Sequence, residues 1–119
     1  MIDQDVISRH SRLFDLCGDV SKSAMHLGFE EVGPGWLPTL ERLCARLQLI
    51  AGPEFRITSV KEKMGSLRIA FRGGNDEVQA AIADAQSEAQ STCMSCGAAG
   101  TLREVEGWWV VTCGKCATA

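Results

Sequence analysis

Cys93-Met94-Ser95-Cys96 and Cys113-Gly114-Lys115-Cys116 are two C-x2-C pairs with sixteen residues between them, and nothing else in the chain constrains its folding so tightly. Four thiolates at this spacing converge on one tetrahedral ion when the intervening residues fold back as a hairpin. Leu102 to Val105 and Trp108 to Thr112 read as its strands, joined at Glu106-Gly107, which returns the second pair beside the first. Two residues between cysteines permit a tight turn whose backbone amides face the sulfurs, and Gly97 and Gly114 read as relieving the crowding there. Zinc is the expected ion. Cys93, Cys96, Cys113 and Cys116 fill its shell and leave no position for water, so the expected role is structural. Two disulfides, a four-cysteine iron–sulfur centre and a redox C-x2-C are the alternatives.

The redox compartment weighs between them. Met1 to His10 carries Asp3 and Asp5 and no basic start before an apolar run, so no secretory signal is read there. No stretch approaches the roughly 18 apolar residues that spanning a bilayer needs. The chain is therefore read as cytoplasmic, where thiols stay reduced and six cysteines favour metal binding plus buried free thiols over a disulfide framework. Cys17 and Cys44 fall on apolar helical positions and are expected to be those buried thiols. His10 and His26 have no carboxylate or cysteine at a spacing that suggests a triad or a metal site, and are expected on a helix surface or at a cap.

Upstream of the cysteines the pattern is α+β. Val6, Leu13, Phe14, Cys17, Val20, Ala24 and Met25 recur at helical steps, which predicts an amphipathic helix from Asp3 to Leu27 with a bend near Gly18. The glycines and prolines between Gly28 and Pro38 then force a shaped loop, with Trp36 packed at the start of a second helix. That helix carries Leu37, Leu40, Leu43, Cys44, Leu47 and Ile50 and ends at Gly52-Pro53. Phe55 and Ile57 alternate with Arg56 and Thr58 over residues 54–60, and Leu67, Ile69 and Phe71 with Arg68, Ala70 and Arg72 over 67–72, predicting an antiparallel hairpin connected around Lys63-Met64-Gly65-Ser66. Asn75 is placed to cap a third helix from Asp76 to about Ser91, whose stripe of Val78, Ala81, Ile82, Ala85 and Ala89 suits close approach to the sheet. The expected organisation is helices on a small antiparallel sheet over residues 1–91, followed by a zinc ribbon over 92–119.

Charge is distributed unevenly. The chain carries a net −3, yet residues 53–72 hold Arg56, Lys61, Lys63, Arg68 and Arg72 against only Glu54 and Glu62. Arg56, Arg68 and Arg72 fall on the hairpin's polar face with Lys61 and Lys63 near its turn, and these side chains are either simply solvated, a docking face for an acidic protein, or a phosphate-tracking surface. Phe55 and Phe71 alternate onto the opposite, apolar face, which weakens the nucleic-acid reading. Trp108 and Trp109 are adjacent in a strand and point to opposite faces, so both cannot enter one core: either the ribbon is sandwiched between the domain and a partner, or one tryptophan is an exposed contact, or one packs on the domain while the other lies flat over the ribbon's own small side.

Gly28-Phe29-Glu30, Gly33-Pro34-Gly35-Trp36, Lys61-Glu62-Lys63-Met64-Gly65-Ser66-Leu67-Arg68-Ile69 and the double C-x2-C resemble, in that order from about residue 25 to 116, the landmarks of a group of small uncharacterised bacterial and phage-associated proteins. Where that group has phenylalanine, this chain has Met64. The resemblance implies a shared fold and no particular activity. Read physically, Trp36 and the charged hairpin end would form a mixed aromatic and charged recognition patch if they lie together.

No nucleophile–base pair, open metal site or phosphate loop is apparent, so the expected function is not enzymatic. It is stoichiometric binding of another protein, as by an immunity protein or a phage-encoded inhibitor, through residues among Trp36, Arg56, Lys61, Lys63, Arg68, Arg72, Trp108 and Trp109. A nucleic-acid-associated regulator using the basic hairpin is the second reading. An enzyme drawing an acid–base pair from Glu30, Glu31, Glu62 or His26 is the third. No membrane partner is expected, and the sequence leaves the oligomeric state open.

Overall fold

A computed structural model describes residues 2–15 and 32–117. Helix α1 (Ile2–Arg9) precedes a 3-10 turn at Ser11–Leu13, and a second such turn at Pro34–Trp36 leads into α2 (Leu37–Ile50). Strands β1 (Arg56–Lys63) and β2 (Ser66–Arg72) come next, then α3 (Asp76–Ala89), strands β3 (Thr101–Val105) and β4 (Trp108–Thr112), and the single turn α4 (Gly114–Ala117). The strands make two separate two-stranded antiparallel sheets, so the class is α+β as expected. No helix among the described residues is long and apolar enough to cross a membrane.

The two long helices form where the apolar periodicity places them. In α2, Leu37, Leu40, Leu43, Cys44 and Leu47 are buried on one stripe, and Ala51 N–H donates to Leu47 O to close the last turn before Gly52-Pro53. In α3, Asn75 Oδ1 accepts from Val78 N at 2.9 Å, and Asp76 and Glu77 set negative charge against the positive end of the helix dipole. The alanine stripe faces more than the sheet. Ala81 and Ala85 share a groove with Leu43 of α2, rimmed by the ion pairs Arg42–Glu88 and Arg46–Asp84, the latter at 3.1 Å. Small side chains let α3 approach α2 closely, a use the helical spacing alone does not reveal.

The β1–β2 register pairs Ile57 with Phe71, Val60 with Ile69 and Glu62 with Leu67, with an irregularity between Ile57 and Ser59. Directly paired residues share a face, so these six point to the core side, where the Phe55 and Phe71 rings lie 5.7 Å apart. Met64 (φ 54°) and Gly65 (φ 80°) make the two-residue turn with positive φ at both positions, the twist that matches hairpin strands.

The first helix is shorter than its periodicity predicts. It ends at Arg9, and the chain then leaves helical geometry so that the neighbours Leu13 and Phe14 can both be buried. Phe14 forms a parallel bridge with Ile57, and Asp15 N–H donates to Ile57 O at 2.9 Å, pairing that needs extended backbone. Tertiary pairing therefore overrides local pattern. The remainder of the expected helix lies outside the described residues, as do Cys17, His26, Glu30, Glu31 and the Gly28-Phe29-Glu30 landmark.

Candidate metal centre and partner surface

The sulfurs of Cys93, Cys96, Cys113 and Cys116 lie within 4.8 Å of one another. Four sulfurs at about 2.3 Å from a shared tetrahedral ion sit ~3.8 Å apart, so the cluster is close to what one ion requires. Cys96 Sγ and Cys113 Sγ are 3.6 Å apart, and both thiols are free. The β3–β4 ladder sets this convergence, pairing Thr101 with Thr112 and so bringing Cys113 back to the first knuckle. Cys93 N–H donates to Ala98 O, Gly97 N–H to Cys93 O and Met94 N–H to Val111 O, which ties that knuckle to β4. Gly97 has φ +85° and earns its place; a Cβ on Gly114 would meet open space, so the expected steric role there is absent.

Two of the four thiols, Cys93 and Cys113, are shifted toward the thiolate. Burial pushes the Cys93 thiol up, but hydrogen bonds from the Cys113, Cys96 and Ser95 backbone and from the Cys96 side chain outweigh it and bring it down to about 6. The Cys116 backbone N–H, donating to Cys113 Sγ at 3.4 Å, likewise lowers Cys113. Cys116 is pushed up to about 12, chiefly by its hydrogen bond with Cys113, as expected when crowded sulfurs share protons. The four cysteines could hold a metal ion.

What cradles the knuckle is the Gly33-Pro34-Gly35-Trp36 turn. Gly35 N–H donates to Met94 O at 2.8 Å, and Trp36 Nε1–H donates to Thr92 O at 2.8 Å. A Cβ on Gly35 would stand 2.0 Å from Cys93 O, so the backbones meet with no space for a side chain. Trp36 is 0% exposed. This corrects the expectation that Trp36 contacts a partner: its indole is spent inside, fastening the loop to the residue before the first cysteine. Nor does Trp36 line the cleft at the tip of the β1–β2 hairpin.

The other candidates do lie at the surface. Across β3–β4, Glu104 pairs with Trp109 and Leu102 with Val111 on one face, which meets the core at Val111 and is exposed at Leu102 and Glu104. Val105, Trp108, Arg103 and Val110 occupy the other face, which is open at Trp108 and closes at the buried Thr112. Trp108 is 75% exposed and Trp109 41%. Both, with Met64 (64% exposed), Glu62, Lys63, Gly107 and Val110, line a cleft of about 520 Å³ between the two hairpin ends. The ends touch beneath it: a Cβ on Gly65 would lie 2.5 Å from Leu102 Cδ1 and 3.3 Å from Trp109 O.

Arg56, Arg68 and Arg72 fall on the outer face of β1–β2, as their alternation predicts, and Lys61 and Lys63, expected near the turn, continue the same face because β1 runs on to Lys63. Arg56 pairs with Arg72 and Lys61 with Arg68, with Ser59 and Ala70 between them and Lys63 opposite Ser66 at the cleft. Like charges directly opposite cost roughly 0.2–1 kcal/mol per pair. Arg72 offsets this through Asp15 at 3.5 Å, and Arg56 donates to Pro53 O and Phe55 O. Glu62, offered as an acid–base candidate, accepts from Gly65 N at 2.7 Å and braces the turn.

One polar cluster is invisible to spacing arguments. His10 Nε2 lies 2.7 Å from Glu41 Oε2, and Gln48 Nε2 donates to His10 Nδ1 at 3.2 Å while Gln48 Oε1 accepts from Arg12 Nε at 2.7 Å. The amide's orientation leaves Nε2 as the ring's donor, so His10 latches α1 to α2 with Arg9 on the same carboxylate. Cys44 is buried on α2, and burial first, then the Glu41 carboxylate, pushes its thiol up to about 12. It should resist a thiol-directed disulfide reagent in the native protein and react only on unfolding. Labelling of Cys44 at the rate of a free thiol in native buffer would contradict this.

The fold and the cysteine geometry thus define an α+β protein with a four-cysteine metal-type centre. No protein-family model, curated protein or solved structure matches the chain.

Proposed function

We propose that the protein acts by stoichiometric binding of another protein through the cleft between its hairpin ends, with zinc closing the cysteine site as a structural ion. The carrying observation is that Met64 and Trp108 are held out together at a cost. Met64 is a long apolar side chain at φ 54°, a region that non-glycine residues other than Asn and Asp rarely adopt, and its side chain is mostly in water. The hydrogen bond from Gly65 to Glu62 fixes the turn's backbone, but among the described residues burial of the Met64 side chain, 64% exposed, does not recover that cost. A partner that buries Met64 and Trp108 does, and solvent-exposed aromatics beside a concave cleft are the usual anchors of such contacts. An immunity protein occupying a toxin, or a phage-encoded inhibitor of a host system, works in this way. Zinc fits because sulfurs this close suit one tetrahedral thiolate-bound ion.

The test separates fold from binding. Asn-Gly is the favoured pair for this turn, so Met64→Asn should stabilise the fold by about 0.5–1 kcal/mol. The same change should weaken the partner complex. A photo-crosslinking residue at Val105 identifies the partner in cells; with both proteins purified, calorimetry should give one-to-one binding, weakened about 30-fold by Trp108→Ala, the ~2 kcal/mol of an anchor residue. Unchanged affinity in both variants would remove the cleft from the binding surface.

A further inference from the structure

The partner's chemistry follows from what adjoins the cleft. From the Met64 end, the outer face of β1–β2 runs as Lys63, then the Lys61–Arg68 pair, then the small residues Ser59 and Ala70, then Arg56–Arg72. Lys63 belongs both to this face and to the cleft lining, so the two surfaces are continuous. Arg56 and Arg72 have partners of their own. Lys61, Lys63 and Arg68 are exposed, and among the described residues none of them has an acidic partner. Lys61 and Arg68 are also directly opposed like charges, with no acidic side chain among the described residues paired to either.

Resting on the protein-binding reading, we propose that cleft and sheet face form one site for an acidic, extended polypeptide segment that places a large apolar side chain against Met64 and Trp108 and its carboxylates along Lys63, Lys61 and Arg68. Lys63 at the cleft and Arg56 at the far end of β1 are seven residue steps apart at about 3.3 Å each, enough length for a short extended segment. The same positive charges could track phosphates, but the aromatic side of the site argues for protein. Glu62 lines the cleft, Glu106 stands in the turn before Trp108, and Glu104 is the cross-strand partner of Trp109. A base stacked on either tryptophan would bring its phosphate beside those carboxylates, and the basic face itself presents Ser59, Ala70 and Ser66 rather than stacking aromatics. A peptide can match both signs along its length, since its charges are set residue by residue.

The test uses fluorescein-labelled peptides of about twelve residues, long enough to cross the site: an Asp/Glu-rich sequence with one phenylalanine, the same sequence with Asn/Gln in place of every acid, and an oligothymidylate of equal length. Anisotropy should show the acidic peptide binding roughly tenfold or more tightly than its amide counterpart, with the advantage shrinking as salt rises. Lys61→Ala with Arg68→Ala should abolish that advantage while the melting temperature holds or rises, because the substitutions remove a repulsive pair from a solvent face. Trp108→Ala should weaken the acidic peptide without erasing its advantage over the amide one. Equal binding of the two peptides, no binding of either, or tighter binding of the oligothymidylate overturns the proposal. Should the crosslinked partner still depend on Trp108 but be indifferent to Lys61 and Arg68, the cleft stands and the acidic-segment proposal alone falls.

Discussion

Removing the metal should unfold more than the ribbon. Purified protein is expected to carry about one zinc per chain, and Cys93→Ser or Cys113→Ser to lose it, since four thiolates make one closed shell and three do not. In an isolated hairpin the damage would stop there. Here Cys93 is fully buried, Met94 packs against the main core and shares a backbone bond with Val111, itself a core residue, and Trp36 and Gly35 are bonded to Thr92 and Met94. Structural zinc contributes about 10–16 kcal/mol to folding in small zinc modules, against a total stability of roughly 5–15 kcal/mol for a domain. Chelation should therefore lower the melting temperature of the whole protein, and hydrogen exchange should report opening at Trp36 and the start of α2 as well as in β3–β4. An apo protein that melts with the zinc form, or one whose exchange changes only after residue 92, would show that the ribbon is an independent appendage.

How much of this was legible beforehand follows the physics of each element. The ribbon was readable because metal geometry converts a residue spacing directly into a hairpin, and β3 and β4 run over the segments that spacing implies. Helices α2 and α3 were readable because their buried stripes are long and their ends carry Gly-Pro and Asn signals. Elsewhere the deciding contact is remote in sequence. Phe14 looks helical until Ile57 supplies a strand to pair with, and His10 looks unpartnered until α2 brings Glu41 against it. Trp36 was legible as a packed residue at the start of α2 but not as one closed to a partner: a tryptophan between glycines and prolines gives no local sign that its indole reaches a backbone far down the chain. The tryptophan pair was half legible. Alternation guaranteed that Trp108 and Trp109 part company, but only the packing of Gly65 beneath Leu102 and Trp109 shows that Met64 joins them at one cleft.

The contact between the Gly-Pro-Gly-Trp turn and the first knuckle yields a contrast that neighbouring residues alone would not suggest. Gly114 directly follows a cysteine ligand and Gly35 is distant from all four in sequence, so proximity along the chain makes Gly114 the sensitive position. The packing reverses that order. A Cβ at Gly114 meets nothing within 4 Å, whereas at Gly35 it would stand 2.0 Å from Cys93 O, 2.6 Å from Gly97 N and 2.7 Å from Met94 C. All three are backbone atoms of the knuckle, so no side-chain rotation relieves the clash and the turn must lift away. Lifting breaks Gly35 N–H to Met94 O and strains Trp36 Nε1–H to Thr92 O, leaving buried polar groups without partners. Gly35→Ala should accordingly cost about 3 kcal/mol or more and weaken zinc binding by at least tenfold in a chelator competition, while Gly114→Ala should stay within about 0.5 kcal/mol of the parent and keep its affinity. The decisive comparison is zinc affinity measured below the melting point of both variants, where a general loss of stability and a distorted knuckle can be told apart. Equal affinities would mean that the Cys93–Cys96 turn holds its ligand geometry without the Gly35 contact; a larger loss for Gly114→Ala would mean that crowding at the second knuckle, not the buried loop, limits the site.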